Sequence, residues 1–408
     1  MAIDVATVRK DFPIFDAHPG LHYLDSAASS QKPKAVIDAM SSYYETTHAN
    51  VHRGVYAIAQ EADARYEAAR RRIAQFIGAP HEHEVLFTKN VTEAINLVAG
   101  SWGRANLRAG DAIVLTEMEH HSNIVPWQIL QQELGFEIRW LRVCPETFVL
   151  DLSSLEQTLD GAKLLSVTGM SNVLGTMPPL RQLTDAARAA GAISLVDAAQ
   201  YVPHLRTDVG EIGADLVAFT GHKMLGPTGI GVLWGRESLL DEMPPFLGGG
   251  GMIREVRLEG FTPEALPHKF EAGTPPIAEA IGLGVACDEL DRYGMDAIWE
   301  HERAITQYAL DTLRDRFGDD VVVHGPRTVE ARGGVLSLGL KDLHPHDITQ
   351  VLDQSNVCVR AGHHCAKPLM KCLGVGAVVR ASFYVYNDTD DVDALADALA
   401  ACADFFAF

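Results

Sequence analysis

Between about residues 75 and 290, short apolar runs alternate with helix-patterned segments, and this alternation narrows the fold of the 408-residue chain more than any other feature. Val85–Thr88, Ala112–Leu115, Leu164–Thr168, Ile193–Asp197, Leu216–Thr220 and Gly231–Trp234 are short runs bounded by Gly, Asp or Pro, the pattern of buried strands. Segments 60–77 and 181–191 place Ala, Arg and Glu on one helical face and Leu or Ile on the other. Strands and helices in alternation predict an α/β architecture around a mostly parallel sheet.

Near Gly294 the pattern changes. A long helical stretch, Met295–Phe317, precedes strand-like Val321–Val323 and Gly334–Leu340. A helix near Asp347–Leu352, a strand at Val378–Phe383 and a final helix from about Thr389 follow. The expected organisation is a large α/β domain over 21–293 and a smaller α+β domain over 294–408, with residues 1–20 packing on the latter.

Composition is 47% hydrophobic and 22% charged, ordinary for a chain that buries a large core without disulfides or metals. The formal net charge of -20 argues against nucleic-acid binding, which needs a basic footprint. Six cysteines lie far apart with no C-x-x-C, unlike a disulfide scaffold or a zinc ribbon. No secretory signal and no membrane span is expected, and the chain reads as cytoplasmic.

Four stretches at strand ends carry chemical potential. In Thr220-Gly221-His222-Lys223, a lysine among small and apolar residues is open to desolvation, which lowers its pKa and makes it a nucleophile toward a carbonyl. The alternative is a surface turn with a solvated lysine. Asp197, ending Leu195-Val196-Asp197, suits either a protonated ring nitrogen or a helix N-cap. Phe87-Thr88-Lys89-Asn90-Val91-Thr92 runs from a strand into a helix start, a phosphate site or a plain N-cap. His120, in Glu119-His120-His121-Ser122-Asn123, suits stacking on a flat heteroaromatic ring. Adjacent histidines point apart and no acidic ligand spacing accompanies them, so no metal site is expected. All four stretches fall where open α/β sheets bind ligands.

The C-terminal part adds Arg360-Ala361-Gly362-His363-His364-Cys365-Ala366-Lys367-Pro368. Gly362 and Pro368 mark a loop, and the basic neighbours of Cys365 favour its thiolate, the reactive form. An inert buried cysteine is the competing reading. Arg380, in an apolar strand, needs a partner: a ligand carboxylate or a structural salt bridge.

Together these motifs resemble the fold-type I pyridoxal-5′-phosphate (PLP) enzymes of the class V aminotransferase group, and among them the SUF-type (SufS-like) cysteine desulfurases. The resemblance runs from Tyr23-Leu24-Asp25-Ser26-Ala27-Ala28 to the Arg380 strand. It implies a seven-stranded, mostly parallel sheet and the removal of sulfur from L-cysteine, leaving alanine, for iron–sulfur cluster assembly. Lys223 matches the Schiff-base lysine, Asp197 the pyridinium partner, Gln200 a donor to the ring hydroxyl and His120 the stacking residue. Thr92, Thr220, His222 and the Val91 and Thr92 amides match phosphate ligands. Gly273 and Thr274 match a phosphate contact given by the other subunit of a homodimer. Asn172 and Arg380 match ligands of the substrate carboxylate, and Arg360, His52 and Arg53 the substrate mouth. Cys365 matches the cysteine that forms a persulfide. A SufE-like or SufU-like protein is the implied sulfur acceptor, with His344 and His346 near a candidate contact or merely solvated at a helix start. Val91 stands where many relatives have Thr or Ala, and Gly251 replaces an acidic residue of some relatives. Selenocysteine lyase and cysteine sulfinate desulfinase are the alternatives within the same family.

Overall fold

The computed structural model describes residues 3–52 and 54–406. Its largest sheet among these residues has seven strands. In spatial order they are Val85–Thr88, Gly231–Gly235, Leu216–Thr220, Ile193–Asp197, Ala162–Thr168, Ala112–Thr116 and Glu137–Leu141. Gly231–Gly235 runs antiparallel to both of its neighbours, and every other pairing is parallel.

Burial explains why these runs are strands. Every residue of Val85–Thr88, Ala112–Thr116, Leu216–Thr220 and Gly231–Gly235 is buried, so both sheet faces must be covered. Successive side chains serve opposite faces. Val217 joins the core formed with Ile73, Val196 and Leu283, whereas Leu216 and Ala218 join the one formed with Ile95, Leu115 and Leu233. Glu137–Leu141 was invisible as a strand because Glu137 and Arg139 interrupt its apolar run. It is an edge strand, open to solvent along much of its length, and tolerates charge there.

A second, antiparallel sheet orders Val321–His324, Val335–Leu340, Val378–Ser382 and Arg360–Gly362. Helices Met295–Phe317, Pro345–Asp353 and Thr389–Phe405 cover it, with Leu313, Ile348 and Leu399 in its core. His22–Tyr23 pairs in parallel with Val357–Cys358, and Asp25 bridges to Ser382. That pairing sets Asp25 beside the Arg380 strand. Near the N-terminus, Arg9 Nε donates to the Tyr386 carbonyl at 2.8 Å and its guanidinium pairs with Asp391 at 2.6 Å. The exposed hairpin of Ile253–Arg257 and Gly260–Pro263 carries no core and left no signal in the sequence. No helix among the described residues is long and apolar enough to cross a membrane.

One buried ion pair ties helix Ala57–Phe76 to the first sheet strand. Arg70 forks onto both Glu271 oxygens at 2.7 and 2.9 Å, and also donates to the Val85 carbonyl at 2.7 Å. Glu271 in turn accepts from the Phe87 amide at 2.8 Å. Removing one partner of such a pair strands the other charge, which costs about 3–5 kcal/mol. Arg70→Met is therefore expected to lower the urea midpoint of the protein by that much stability; an unchanged midpoint would contradict this role.

Candidate active site

The C-terminal ends of the parallel strands converge on Lys223. The chain leaves Leu216–Thr220 through a tight turn, Gly221–Lys223. Gly221 is required there, since a Cβ would lie 2.7 Å from Ile230 and 3.0 Å from the Pro227 carbonyl. Lys223 is half-buried as a residue, yet protein surrounds its amine. Burial pushes the amine down to about 8, against the pull of Asp197, and the Arg380 and Arg360 charges add to the depression.

Asp197 is buried, and burial raises its carboxyl above the usual range while the Ala199 amide and Lys223 oppose the rise. One oxygen accepts from the Ala199 amide at 3.1 Å, and the other takes no protein hydrogen bond among the described residues. Gln200 is nearby in the same turn. Its Nε2 donates to the Ala27 carbonyl at 2.6 Å, and its buried Oε1 is left without a partner. Nε2 keeps a second N–H for the expected role as a ring-hydroxyl donor, and the free Oε1 can only accept.

His120 lies on the facing turn. Its Nδ1 accepts from the Ser122 amide at 3.1 Å and lies 2.7 Å from the Ser122 hydroxyl. Burial, then the Lys223 charge, holds the ring down to about 3. A neutral imidazole accepting at Nδ1 carries its proton on Nε2. Below this turn Glu119 is fully buried and accepts from the Thr116 hydroxyl, the Asn123 side chain and the Thr168 amide at 2.6, 2.7 and 2.9 Å. Burial pushes its carboxyl up to about 8. Glu119 was not singled out by sequence, because its burial and its three donors come from the fold.

At the phosphate-type turn, Asn90 caps helix Val91–Val98 by accepting from the Glu93 amide at 3.0 Å. The Val91 and Thr92 amides have no protein acceptor among the described residues. Gly231 lets the next strand approach, because a Cβ there would meet the Asn90 backbone at 2.6 Å. Thr220 is buried and its hydroxyl is only loosely held, 3.5 Å from the Ile230 carbonyl. His222 is held down to about 4 by burial, then by Lys223 and Lys32. Lys32, unnoticed in the sequence, donates to the His222 carbonyl at 2.8 Å, and burial lowers its ammonium to about 7.

Cys365 sits exposed on its loop with φ 54°, next to His364 at φ 46°. Both are left-handed backbone positions that only surrounding contacts can hold. The Cys365 carbonyl accepts from the His121 amide at 2.7 Å, and the His364 carbonyl from Asn172 Nδ2 at 2.8 Å. Arg380 donates to the Asn172 carbonyl and to Asp25, each at 3.0 Å, and Arg360 pairs with the same Asp25 at 3.1 Å. The salt-bridge reading of Arg380 is thus realised, leaving a buried, unpartnered Nε. Arg360 is exposed and adjustable.

Shared charge interactions and hydrogen bonds thus bring Lys223, Asp197, His120, His222, Asn172, Arg360, Arg380 and Cys365 to one site. His52 lies elsewhere in this chain, 4.7 Å from His268 and 5.7 Å from Tyr66 between ring centres. Gly273, at φ 86°, and Thr274 are exposed on the surface. Arg53 lies outside the described residues. His52, Glu67 and His268 offer ligand atoms within 4.8 Å of one another, but the Arg70 guanidinium already faces both Glu67 oxygens, at 3.0 and 3.4 Å. His344 caps the helix Pro345–Asp353, accepting from the His346 amide at 3.3 Å. Gly251 has φ 88°, which favours the glycine over the acidic residue it replaces.

The donor set fits PLP: free amides at a helix start for a phosphate, a depressed lysine for a carbonyl, a buried carboxylate for a ring nitrogen and an orphaned Gln200 oxygen for a polar substituent. Beneath it, the raised Glu119 has a pH signature. The folded protein retains its proton from pH 4.5, its ordinary value, up to about 8, where the unfolded chain has lost it. Stability from this group is full below that window and declines as pH rises through it. Glu119→Gln sets an NH2 group against a donor, either Asn123 or the Thr168 amide. The variant is expected to be less stable than the parent near pH ~5, with the gap narrowing toward pH 8 in urea titrations. A gap that widens with pH would contradict the assignment.

The aminotransferase class-V family model matches residues 22–395. A probable cysteine desulfurase of Streptomyces coelicolor is 50% identical over 413 residues, covering 99% of this chain and 98% of the relative. One from Halalkalibacterium halodurans is 48% identical over 403 residues, covering 98% of each. The apo structure of a cysteine desulfurase from Thermococcus onnurineus superposes with a TM-score of 0.95 at 41% identity, over 100% of this chain and 99% of the other. The Escherichia coli cysteine desulfurase CsdA, in an S-sulfonic acid form, gives 0.90 at 36% identity, over 99% and 100%. With its site at the strand ends of a matching fold, this chain belongs to the class V aminotransferase family.

Proposed function

We propose that this protein is a PLP-dependent cysteine desulfurase that converts L-cysteine to L-alanine and leaves the sulfur on Cys365 as a persulfide. The observation that carries the reading is the exposed Cys365 loop fastened over the pocket that holds the depressed Lys223 amine. An aminotransferase has no use for a thiol at that place.

PLP, when bound, supplies an electron sink for charge that develops at the substrate Cα. Lys223 would hold the cofactor, and its amine serves as the base for the Cα proton; at a pKa of about 8 much of the amine is neutral near that pH. Asp197 pairs with the ring nitrogen and Gln200 with the ring hydroxyl. Thr92, Thr220, His222 and the Val91 and Thr92 amides hold the phosphate. His120 would cover the ring and presents an Nε2 proton. Arg380, Asn172 and Arg360 orient the substrate carboxylate, with Arg360 releasing Asp25 to do so. The Cys365 thiolate attacks the substrate sulfur: an S–S bond forms, the Cβ–S bond breaks, and its electron pair stays with the carbon chain, which takes up protons to become alanine. Enzyme thiol plus cysteine thus becomes enzyme persulfide plus alanine, with no outside oxidant.

The proposed assembly is a homodimer. Support comes from the exposed Gly273 and Thr274 and from the hairpin that presents Val256, Leu258 and Phe261 to solvent. Gly273 and Thr274 would reach the partner's phosphate, and His52 and Arg53 would line a substrate mouth. The proposed sulfur acceptor is a SufE-like or SufU-like protein serving iron–sulfur assembly, in a reducing cytoplasm that suits six unpaired cysteines. The proposed domain division places 1–20 on the 294–408 domain and 21–293 around the cofactor, with Gly294 between two long helices as the joint.

Cys365→Ala is expected to keep the bound-cofactor absorbance of the parent and to lose persulfide formation and alanine release from L-cysteine. Lys223→Ala is expected to lose the absorbance of covalently held cofactor. Full L-cysteine turnover by Cys365→Ala would overturn the role of the thiol, and parental absorbance in Lys223→Ala the role of the lysine.

A further inference from the structure

His121 has no part in the roles above, yet it grips the Cys365 loop at two points, the cysteine itself and the residue two places after it. Its amide donates to the Cys365 carbonyl at 2.7 Å. Its Nε2 accepts from the Lys367 amide at 3.0 Å. Lys367 begins the short helix Lys367–Cys372, whose own N-cap residue, Ala366, supplies no side-chain acceptor. An orphaned amide at a helix start ordinarily finds a Ser, Thr, Asp or Asn oxygen. Here the acceptor is an imidazole from a distant part of the chain.

The mount of that imidazole is rigid. His121 opens the turn His121–Asn123, whose Asn123 donates to buried Glu119 and accepts from the Ser166 hydroxyl at 2.6 Å and the Trp127 indole at 3.3 Å. His120, one residue earlier, faces Lys223. One braced turn therefore carries both the ring that faces the cofactor pocket and the clasp on the thiol loop. The loop needs a clasp, since His364 and Cys365 both occupy left-handed backbone, each costing about 1–3 kcal/mol where nothing compensates. His363 Nδ1 adds a contact within the loop, accepting from the Cys365 amide at 3.1 Å, and its ring lies 5.6 Å from that of His121.

We propose that His121 is a positioning residue for sulfur transfer: by capping the Lys367 amide and binding the Cys365 carbonyl, it fixes the thiol loop relative to His120 and Lys223. The clasp acts on the second half of the reaction and leaves cofactor holding and Cα proton removal to Lys223. This inference rests on the reading of Cys365 as the sulfur-receiving thiol.

The test compares full-length, PLP-loaded parent, His121→Phe and His121→Gln. Phe keeps the backbone donor but removes the imidazole acceptor, whereas Gln offers a side-chain oxygen to the Lys367 amide. Amide hydrogen exchange of the 362–370 segment reads the clasp without any sulfur chemistry. Exchange at Lys367 is expected to rise about tenfold or more in His121→Phe and to return toward the parent in His121→Gln. With L-cysteine, the rate of persulfide formation on Cys365 is expected to fall at least about tenfold in His121→Phe. The substrate-induced absorbance change and KM should stay near the parent's, and Gln should restore part of the transfer rate. Parental exchange and parental transfer in His121→Phe would overturn the inference. So would a loss of cofactor binding matching the loss of transfer, which would mark a general structural role. Absence of persulfide in the parent itself would instead overturn the reading of Cys365.

Discussion

The exclusion of water from the Lys223 amine is the constraint on which the rest of the site depends. An ammonium in that position is disfavoured by burial and by two nearby arginines, with Asp197 and, more weakly, Cys365 to support it. The amine is thereby kept available as a nucleophile and as a base. The same exclusion sets the neighbours. His120 and His222 stay neutral, and the buried Glu119 keeps its proton to unusually high pH. Every one of these shifts has burial as its leading cause, so they stand or fall with the packing of the strand ends.

The pocket is built from two kinds of support. The strand ends Thr88, Asp197 and Thr220 are fixed by a sheet buried on both faces, which gives the cofactor side its precision. The thiol side is a loop, with left-handed residues and an exposed cysteine. It is held by hydrogen bonds from Asn172 and from the turn after His120. A rigid cofactor platform and a fastened but exposed thiol suit a reaction in which sulfur must first be taken from the pocket and then handed outward. The arginines connect the two sides. Arg380 touches the Asn172 carbonyl and shares Asp25 with Arg360, so the strand of the second sheet is wired to the pocket wall.

Much of this was legible in the sequence because the features are local. Six of the seven strands announced themselves as apolar runs, and Lys223, Asp197, His120 and Cys365 each sit in short motifs whose chemistry can be argued from neighbours. What stayed hidden was tertiary. Glu137–Leu141 carries charge because an edge strand faces solvent on one side. The hairpin around Leu258 has no core to shape its pattern. Asp25, Lys32 and Glu119 look unremarkable until the fold sets them against Arg380, the His222 carbonyl and the Thr168 amide. For Arg380 the sequence left a ligand carboxylate and a salt bridge equally open, and only the parallel pairing of His22–Tyr23 with Val357–Cys358, with the Asp25 bridge to Ser382, brings the acid within reach.

The central claim is that Lys223 and Cys365 act on one substrate molecule, one at carbon and one at sulfur. Peptide mapping by mass spectrometry after a single addition of L-cysteine to the PLP-loaded parent tests it most directly. One extra sulfur atom on the Cys365 peptide, in step with one alanine released per site, is the result this account predicts. Alanine released without sulfur on Cys365, or sulfur found first on another cysteine, would contradict it.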